Sequence, residues 1–328
     1  MGPFAGCRIV AALAILAWAR TAAAATDAAE PSAACNPAAQ ARFEQAVDLM
    51  RTFAWSGAVQ AFEGVITADR HCTVETWRPA AADRLVYAYL QTGQDDKAKS
   101  VVDKFGAPER RGRPDDDMAL AAMPARYALE RSDWIEAAAL QIRDGAIPAA
   151  RAITLFARAL GATKSGKVAA AAADSAELER VADDMQTRGQ SDRAMRIRFH
   201  AEAARAELAL DHGRRNEAIA ALRDAADGED AVVDPGATVF DPLPLRELLA
   251  DALLDAGDAA GALKEYEASL QRARARLRSF WGAGRAAEAV GDVPRMKMYY
   301  GRFAALCDLV TCVRPGKLTA AKRSMAAP

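Results

Sequence analysis

Residues 253–269, LLDAGDAAGALKEYEAS, and residues 287–303, AEAVGDVPRMKMYYGRF, decide how this chain folds. Laid over one another, they place Leu253, Gly257, Ala262, Tyr266 and Ser269 against Ala287, Gly291, Met296, Tyr300 and Phe303, each pair displaced by 34 residues. A glycine after an apolar helical stretch ends the helix in a left-handed cap and permits a tight turn. A small residue five positions later lets a second helix approach the first closely. The larger residue four positions further on fills the space between neighbouring hairpins. One such hairpin leaves an apolar face bare, and stacking another against it covers that face.

The same pattern runs upstream. Tyr89…Gly93…Ala98…Val102, Gly166…Ala171 and Gly213…Ala218…Leu222…Ala225 are further copies; Ala46…Ala58…Phe62…Val65 is the first, and Trp134…Ala137 is a degenerate one. The anchors Ala58, Ala98, Ala137, Ala171, Ala218, Ala262 and Met296 are spaced 40, 39, 34, 47, 44 and 34 residues apart. A 34-residue helix–turn–helix period is that of the tetratricopeptide (TPR) repeat. The expected fold is therefore all-α, a right-handed superhelical solenoid of about seven TPR-like hairpins over residues 38–312. Composition agrees. Of 328 residues, 52% are hydrophobic but only 6% aromatic, and the chain is rich in alanine, the best helix former. A sandwich or barrel would call for more β-branched and aromatic residues. With 27% charged residues and a net charge of −1, the chain reads neither as disordered nor as a polyanion binder, so no nucleic-acid partner is expected.

Both ends carry information. Arg8 precedes the apolar run Ile9–Ala19 (IVAALAILAWA), which gives way to Arg20-Thr21 and four alanines. That stretch is too short to span a bilayer and reads as a signal peptide over residues 1–25, cleaved near Ala25. The expected location is the periplasm or the outside. No later stretch is long enough to span, so the mature chain is expected to have no transmembrane segment. Residues 26–37 read as a short linker and 313–328 as a flexible basic C-terminal tail. Four cysteines remain after cleavage, and an even number in an oxidising compartment points to disulfides. The first hairpin is expected to have helices over about 38–54 and 57–69, which puts Cys35 and Cys72 together at its open end. A turn after Leu309 brings Cys307 to Cys312. No CxxC pair occurs, and only His71, His200 and His212 are present, so neither a thiol redox centre nor a histidine-rich metal site is expected.

The chain resembles a family of bacterial secreted TPR proteins. The resemblance is carried by Phe53-Ala54-Trp55-Ser56-Gly57-Ala58 reaching Phe62, by Ala121–Trp134 (AAMPARYALERSDW), by Phe156–Ala162 (FARALGA) and by Arg278–Glu288 (RSFWGAGRAAE). It covers most of residues 38–312. It implies the fold and secretion, and it brings no catalytic residues with it.

A search for chemistry finds little. Gly282-Ala283-Gly284-Arg285-Ala286-Ala287 matches GxGxxA but lies within a helical stretch with no strand before it, which argues against a dinucleotide loop. No Walker, HExxH or GxSxG sequence occurs. The paired acids Asp183-Asp184 and Glu229-Asp230 read as solvated helix ends, and Arg272, Arg274, Arg276 and Arg278 as a solvated face. Pro124 suggests a kink or a late helix start. Residues 228–244, with Pro235, Pro242 and Pro244, read as a long loop that lies on the edge of the solenoid or partly fills its groove. What remains is the inner surface. With the register set by the resemblance, Glu207, Asp211, Glu247, Asp251, Arg278, Trp281 and Arg285 point into the groove as candidate partner-binding residues; the alternative for Trp281 is that it packs against a neighbouring helix. No catalytic residue, cofactor or metal is expected. The expected function is a non-enzymatic scaffold holding a protein or peptide partner; the alternative is an accessory of cell-envelope assembly or polysaccharide export.

Overall fold

The computed structural model describes residues 36–69, 79–105, 114–232, 241–308 and 314–326. The proposed signal peptide, Cys35, Cys72 and Cys312 lie outside them. The described residues form fifteen helices and no strand. They pair as seven hairpins: α1 (Pro37–Arg51) with α2 (Trp55–Ala68), α3 (Pro79–Gln91) with α4 (Asp95–Phe105), α5 (Pro114–Arg131) with α6 (Trp134–Ala138), α7 (Pro148–Lys164) with α8 (Val168–Thr187), α9 (Ser191–Asp211) with α10 (Arg215–Ala231), α11 (Leu245–Asp255) with α12 (Ala259–Arg272), and α13 (Leu277–Val290) with α14 (Val293–Asp308). A last helix, α15 (Pro315–Ala326), packs on α14 and α13. The chain is an all-α solenoid of consecutively packed helices.

One turn recurs in every hairpin. The residue five before each anchor sits in the left-handed region: Gly93, Gly166, Gly213, Gly257 and Gly291, with Phe53 and Ser132 in the first and third hairpins at φ 58° and 59°. The next N–H donates back to a carbonyl five residues earlier, from Ala54 to Leu49 and so on to Asp292 to Ala287, at 2.8–2.9 Å throughout. This is the long bond of a Schellman cap. All six anchor alanines are fully buried, and Met296 is 6% exposed. Trp134…Ala137 lacks a glycine because Ser132 adopts the strained conformation in its place, with its hydroxyl held by Arg278 Nη1 at 2.7 Å.

Helix α5 is the seam between two apolar cores. Leu120, Met123 and Tyr127 face the first two hairpins, whereas Ala121, Ala122, Ala125 and Ala128 face the remaining five. The helix runs unbroken through Pro124. The glycines of the GxGxxA match prove to be packing residues. A Cβ on Gly282 would stand 2.2 Å from the Tyr266 ring, and one on Gly284 2.4 Å from the Tyr300 ring.

Three expectations are corrected here. Residues 315–326 are not a flexible tail but helix α15. Leu318, Ala321 and Met325 recur at the spacing of one helix face, and they pack against the core. Pro315 opens the helix, where a missing N–H costs nothing. The acidic pair Glu229-Asp230 is not a solvated helix end. Glu229 accepts the Leu245 N–H at 2.9 Å, and Asp230 pairs with Arg246 and Arg272. Lastly, the solenoid does not stay open. The odd-numbered helices contact one another in sequence from α3 to α13, and α13 then returns to α3.

Candidate functional site

Ring closure is built from polar contacts between the seventh repeat and the first three. The segment before α13 carries the arginine run. Arg272 and Arg274 are exposed, as a solvated face requires, but Arg276 and Arg278 are buried. The Arg276 guanidinium donates Nε to Glu247 Oε1 at 2.8 Å and Nη2 to Glu247 Oε2 at 2.9 Å and Glu130 Oε1 at 2.7 Å. Its Nη1 donates to the Tyr87 hydroxyl at 2.6 Å. Around it, the Leu277 N–H donates to Gln91 Oε1 at 2.9 Å and the Trp55 indole N–H to the Ala275 carbonyl at 2.6 Å. Such charges are tolerated in a dry interior because each is paired and hydrogen-bonded. Burial alone would raise the Glu247 carboxyl; the guanidiniums of Arg276 and Arg278 and the Ser279 hydroxyl hold it below the ordinary carboxylate value.

This network takes up much of the expected partner-binding surface. Glu247 is fully buried, and Arg278 is spent on Ser132, Asp251 and Glu247. Asp251 also accepts the Tyr266 hydroxyl. Glu207 is 1% exposed and pairs with Lys164 at 2.6 Å. Asp211 and Arg285 are exposed. Trp281 does not project into a groove: its ring packs on Tyr300 and Phe303 of α14 at 5.5 and 5.4 Å between centroids. The structure thus gathers Glu247, Asp251 and Arg278 into one buried cluster and leaves Asp211, Trp281 and Arg285 apart from it.

The end of the 228–244 loop also turns inward. Leu243 is fully buried, the Asp241 carbonyl accepts Arg126 Nη1 of α5 at 3.1 Å, and the Asp241 carboxylate accepts Arg196 Nη1 of α9 at 2.9 Å. Residues 233–240 lie outside the described residues.

What stays open is a cavity of about 930 Å³ bounded by α4, the α5–α6 turn, the end of α7 and the start of α15. Its lining includes Trp134, Ile135, Arg131, Lys164, Lys167, Arg314 and Lys317, with Asp95 and Asp133 as the only acids. Several of the cations are neutralised in place: Arg314 forks onto Asp95 with two bonds of 3.0 Å, Arg131 pairs with Glu136 and Asp133, and Lys164 with Glu207. Lys317 is held differently. Burial, and then the neighbouring charges of Arg314 and Arg278, pull its ammonium down to about 8. It lies over the Trp281 ring at 5.9 Å. Ile135, which lines the same cavity, is 74% exposed, the most exposed large apolar side chain among the described residues. A cavity lined by an exposed apolar side chain and a largely buried ammonium suits a ligand that carries both an anionic and an apolar group. The sequence reading missed this site because Arg314 and Lys317 were assigned to a tail. The stripe Leu318–Ala321–Met325 was the available signal.

No protein-family model matches the sequence, and no curated protein matches it. Among solved structures the chain is similar to a tetratricopeptide repeat protein from Parabacteroides merdae ATCC 43184, at 13% identity and a TM-score of 0.42, over 88% of this chain and all of that one. A likeness at that score carries no argument, so the fold assignment rests on the seven repeated turns and the consecutive helix packing.

Proposed function

We propose that the chain is an exported, non-enzymatic scaffold that binds a polypeptide partner at the cavity between the α5–α6 turn and α15. The supporting observation is that Ile135, Lys167 and Lys317 line one cavity. The partner segment carries a carboxylate next to an apolar side chain. The carboxylate meets Lys317, whose ammonium is pulled down by burial and then by the neighbouring charges of Arg314 and Arg278, and the apolar side chain covers Ile135. Export rests on the N-terminal apolar run and its alanine-rich end. No described helix is long and apolar enough to cross a membrane.

The test is a photo-crosslinking amino acid at position 135 in the chain expressed in its own host, with position 224 on the exposed face of α10 as control. A discrete partner captured from 135 but not from 224, and lost on Lys317→Ala, supports the proposal. Equal capture from both positions, or capture indifferent to Lys317→Ala, overturns it.

A further inference from the structure

His200 is 4% exposed in the middle of α9, and its Nε2 has no hydrogen-bond partner. The atom is aimed at two carboxylates. Glu229 Oε1, from the end of α10, lies 3.5 Å away, and Asp241 Oδ1, from the segment before α11, lies 3.9 Å away. All three ligand atoms fall within 4.8 Å of one another. Glu229 Oε1 is likewise buried without a partner. Each group is also fixed on its far side. The other Glu229 oxygen accepts the Leu245 N–H at 2.9 Å, and the other Asp241 oxygen accepts Arg196 Nη1 at 2.9 Å. The imidazole stacks on Phe156 with centroids 4.5 Å apart and planes 18° apart.

We infer that His200, Glu229 and Asp241 form a binding site for one divalent transition-metal ion. The donor set is one neutral imidazole nitrogen and two carboxylate oxygens. That mix suits Zn²⁺, which takes such ligands at about 2.0–2.2 Å. Tetrahedral ligands at that distance stand about 3.3–3.6 Å from one another. The His200–Glu229 separation of 3.5 Å already fits; Asp241, at 3.9 Å from His200 and within 4.8 Å of Glu229, has to move inward to complete the set. Orienting bonds on the far carboxylate oxygens are the outer shell that metal ligands ordinarily have. Arg196 already pairs with Asp241 at 2.9 Å, and the ion's positive charge compensates the Glu229 carboxylate, whose Oε1 is buried without a partner. The ion joins α9, the end of α10 and the chain segment leading into α11, and so anchors residues 241–244 inside the ring. A scarcity of histidines argues against a histidine-rich centre but not against this one, which needs a single imidazole.

The competing account is a plain ion pair, with a protonated His200 against Glu229. The two are separated by Zn²⁺ titration of the full chain stripped with EDTA. The wild type is expected to bind one Zn²⁺ with nitrogen and oxygen ligands and no sulfur by X-ray absorption, with a melting temperature that rises on loading. His200→Gln, Glu229→Gln and Asp241→Asn each preserve shape and are expected to lower the affinity at least 10-fold, while His212→Gln on the exposed surface leaves it unchanged. Circular dichroism checks that each variant folds; should one fail, the other two decide. Absence of stoichiometric Zn²⁺ binding by the wild type, sulfur in the coordination shell, or wild-type affinity in the folded variants would overturn the inference. None of these readouts depends on the partner cavity, so the metal site and the partner proposal fail independently.

Discussion

Arg276→Ala tests whether the ring is closed as described. The guanidinium it removes is the shared partner of Glu247 and Glu130, whose side chains are fully buried. Glu247 keeps Arg278 at 3.4 Å and the Ser279 hydroxyl. Glu130 loses the charge that compensates it. Removing one member of a buried ion pair costs about 3–5 kcal/mol, because the partner is left charged in a poor dielectric. The escape is protonation, and this gives the prediction a sign. In the wild type Glu247 is held below its ordinary value of 4.5. Its contribution is therefore fully present above that pH and lost as pH falls through the lower folded value. In the variant, burial acts on Glu247 with less opposition and moves its carboxyl up, so the native state takes up a proton before the unfolded chain does. The destabilisation should accordingly be about 3–5 kcal/mol near pH 7.5 and smaller near pH 5. Urea unfolding followed at 222 nm at both pH values measures it. Hydrogen exchange should show faster opening in α3, α5 and α13, with α8 and α10 less affected. Replacing the trio together, as Arg276→Met with Glu247→Leu and Glu130→Leu, should recover most of the loss, since apolar groups of similar size often substitute for a buried network. A loss under about 1 kcal/mol, or one that is the same at pH 7.5 and pH 5, would refute the buried closure.

Further outcomes are expected elsewhere. Gly284→Ala places a Cβ 2.4 Å from the Tyr300 ring and should cost about 1–3 kcal/mol by overpacking; a melting temperature equal to wild type would show that α13 and α14 are less closely apposed. Lys317, with a folded pKa of about 8 against an ordinary 10.5, binds fewer protons in the native state than in the unfolded one between those values. Stability should thus rise with pH across that window, and the rise should vanish in Lys317→Met. Intact mass of exported protein should show a chain beginning near Thr26; a mass that retains Met1–Ala25 would reject the signal reading. Non-reducing peptide mapping should find Cys35–Cys72 and Cys307–Cys312. Support for the first comes from Asn36, whose N–H and side-chain amide reach Asp69 at 2.9 Å and the Ala68 carbonyl at 3.1 Å, which puts the start of α1 beside the end of α2. Cys307 itself is buried and is not a free thiol. A Cys35–Cys307 crosslink would contradict both pairings.

The repeat was legible in the sequence because its determinants are local. A left-handed cap, a small residue five positions on and an apolar stripe at helical spacing all act within some twenty residues. They placed all seven hairpins even where Phe53 and Ser132 stand in for glycine. The register that names Glu207, Glu247 and Arg278 as inner-face positions comes from the resemblance, and what those residues face was not legible. The contacts that close the ring join Trp55 to Ala275, Tyr87 to Arg276 and Glu130 to Arg276, across 220, 189 and 146 residues. Each hairpin rotates slightly against the one before it, and the sum over seven decides whether the groove stays open or α13 meets α3. No single repeat encodes that sum. Alternate arginines on one short segment therefore read as a solvated face, yet the tertiary structure splits them into two in water and two in the core. His200, Glu229 and Asp241 are likewise unremarkable along the chain. They become a cluster only because the end of a long loop folds inward against α9. The repeat unit and its order follow from local sequence; the accumulated geometry of stacking decides which charges are buried and which cavity remains.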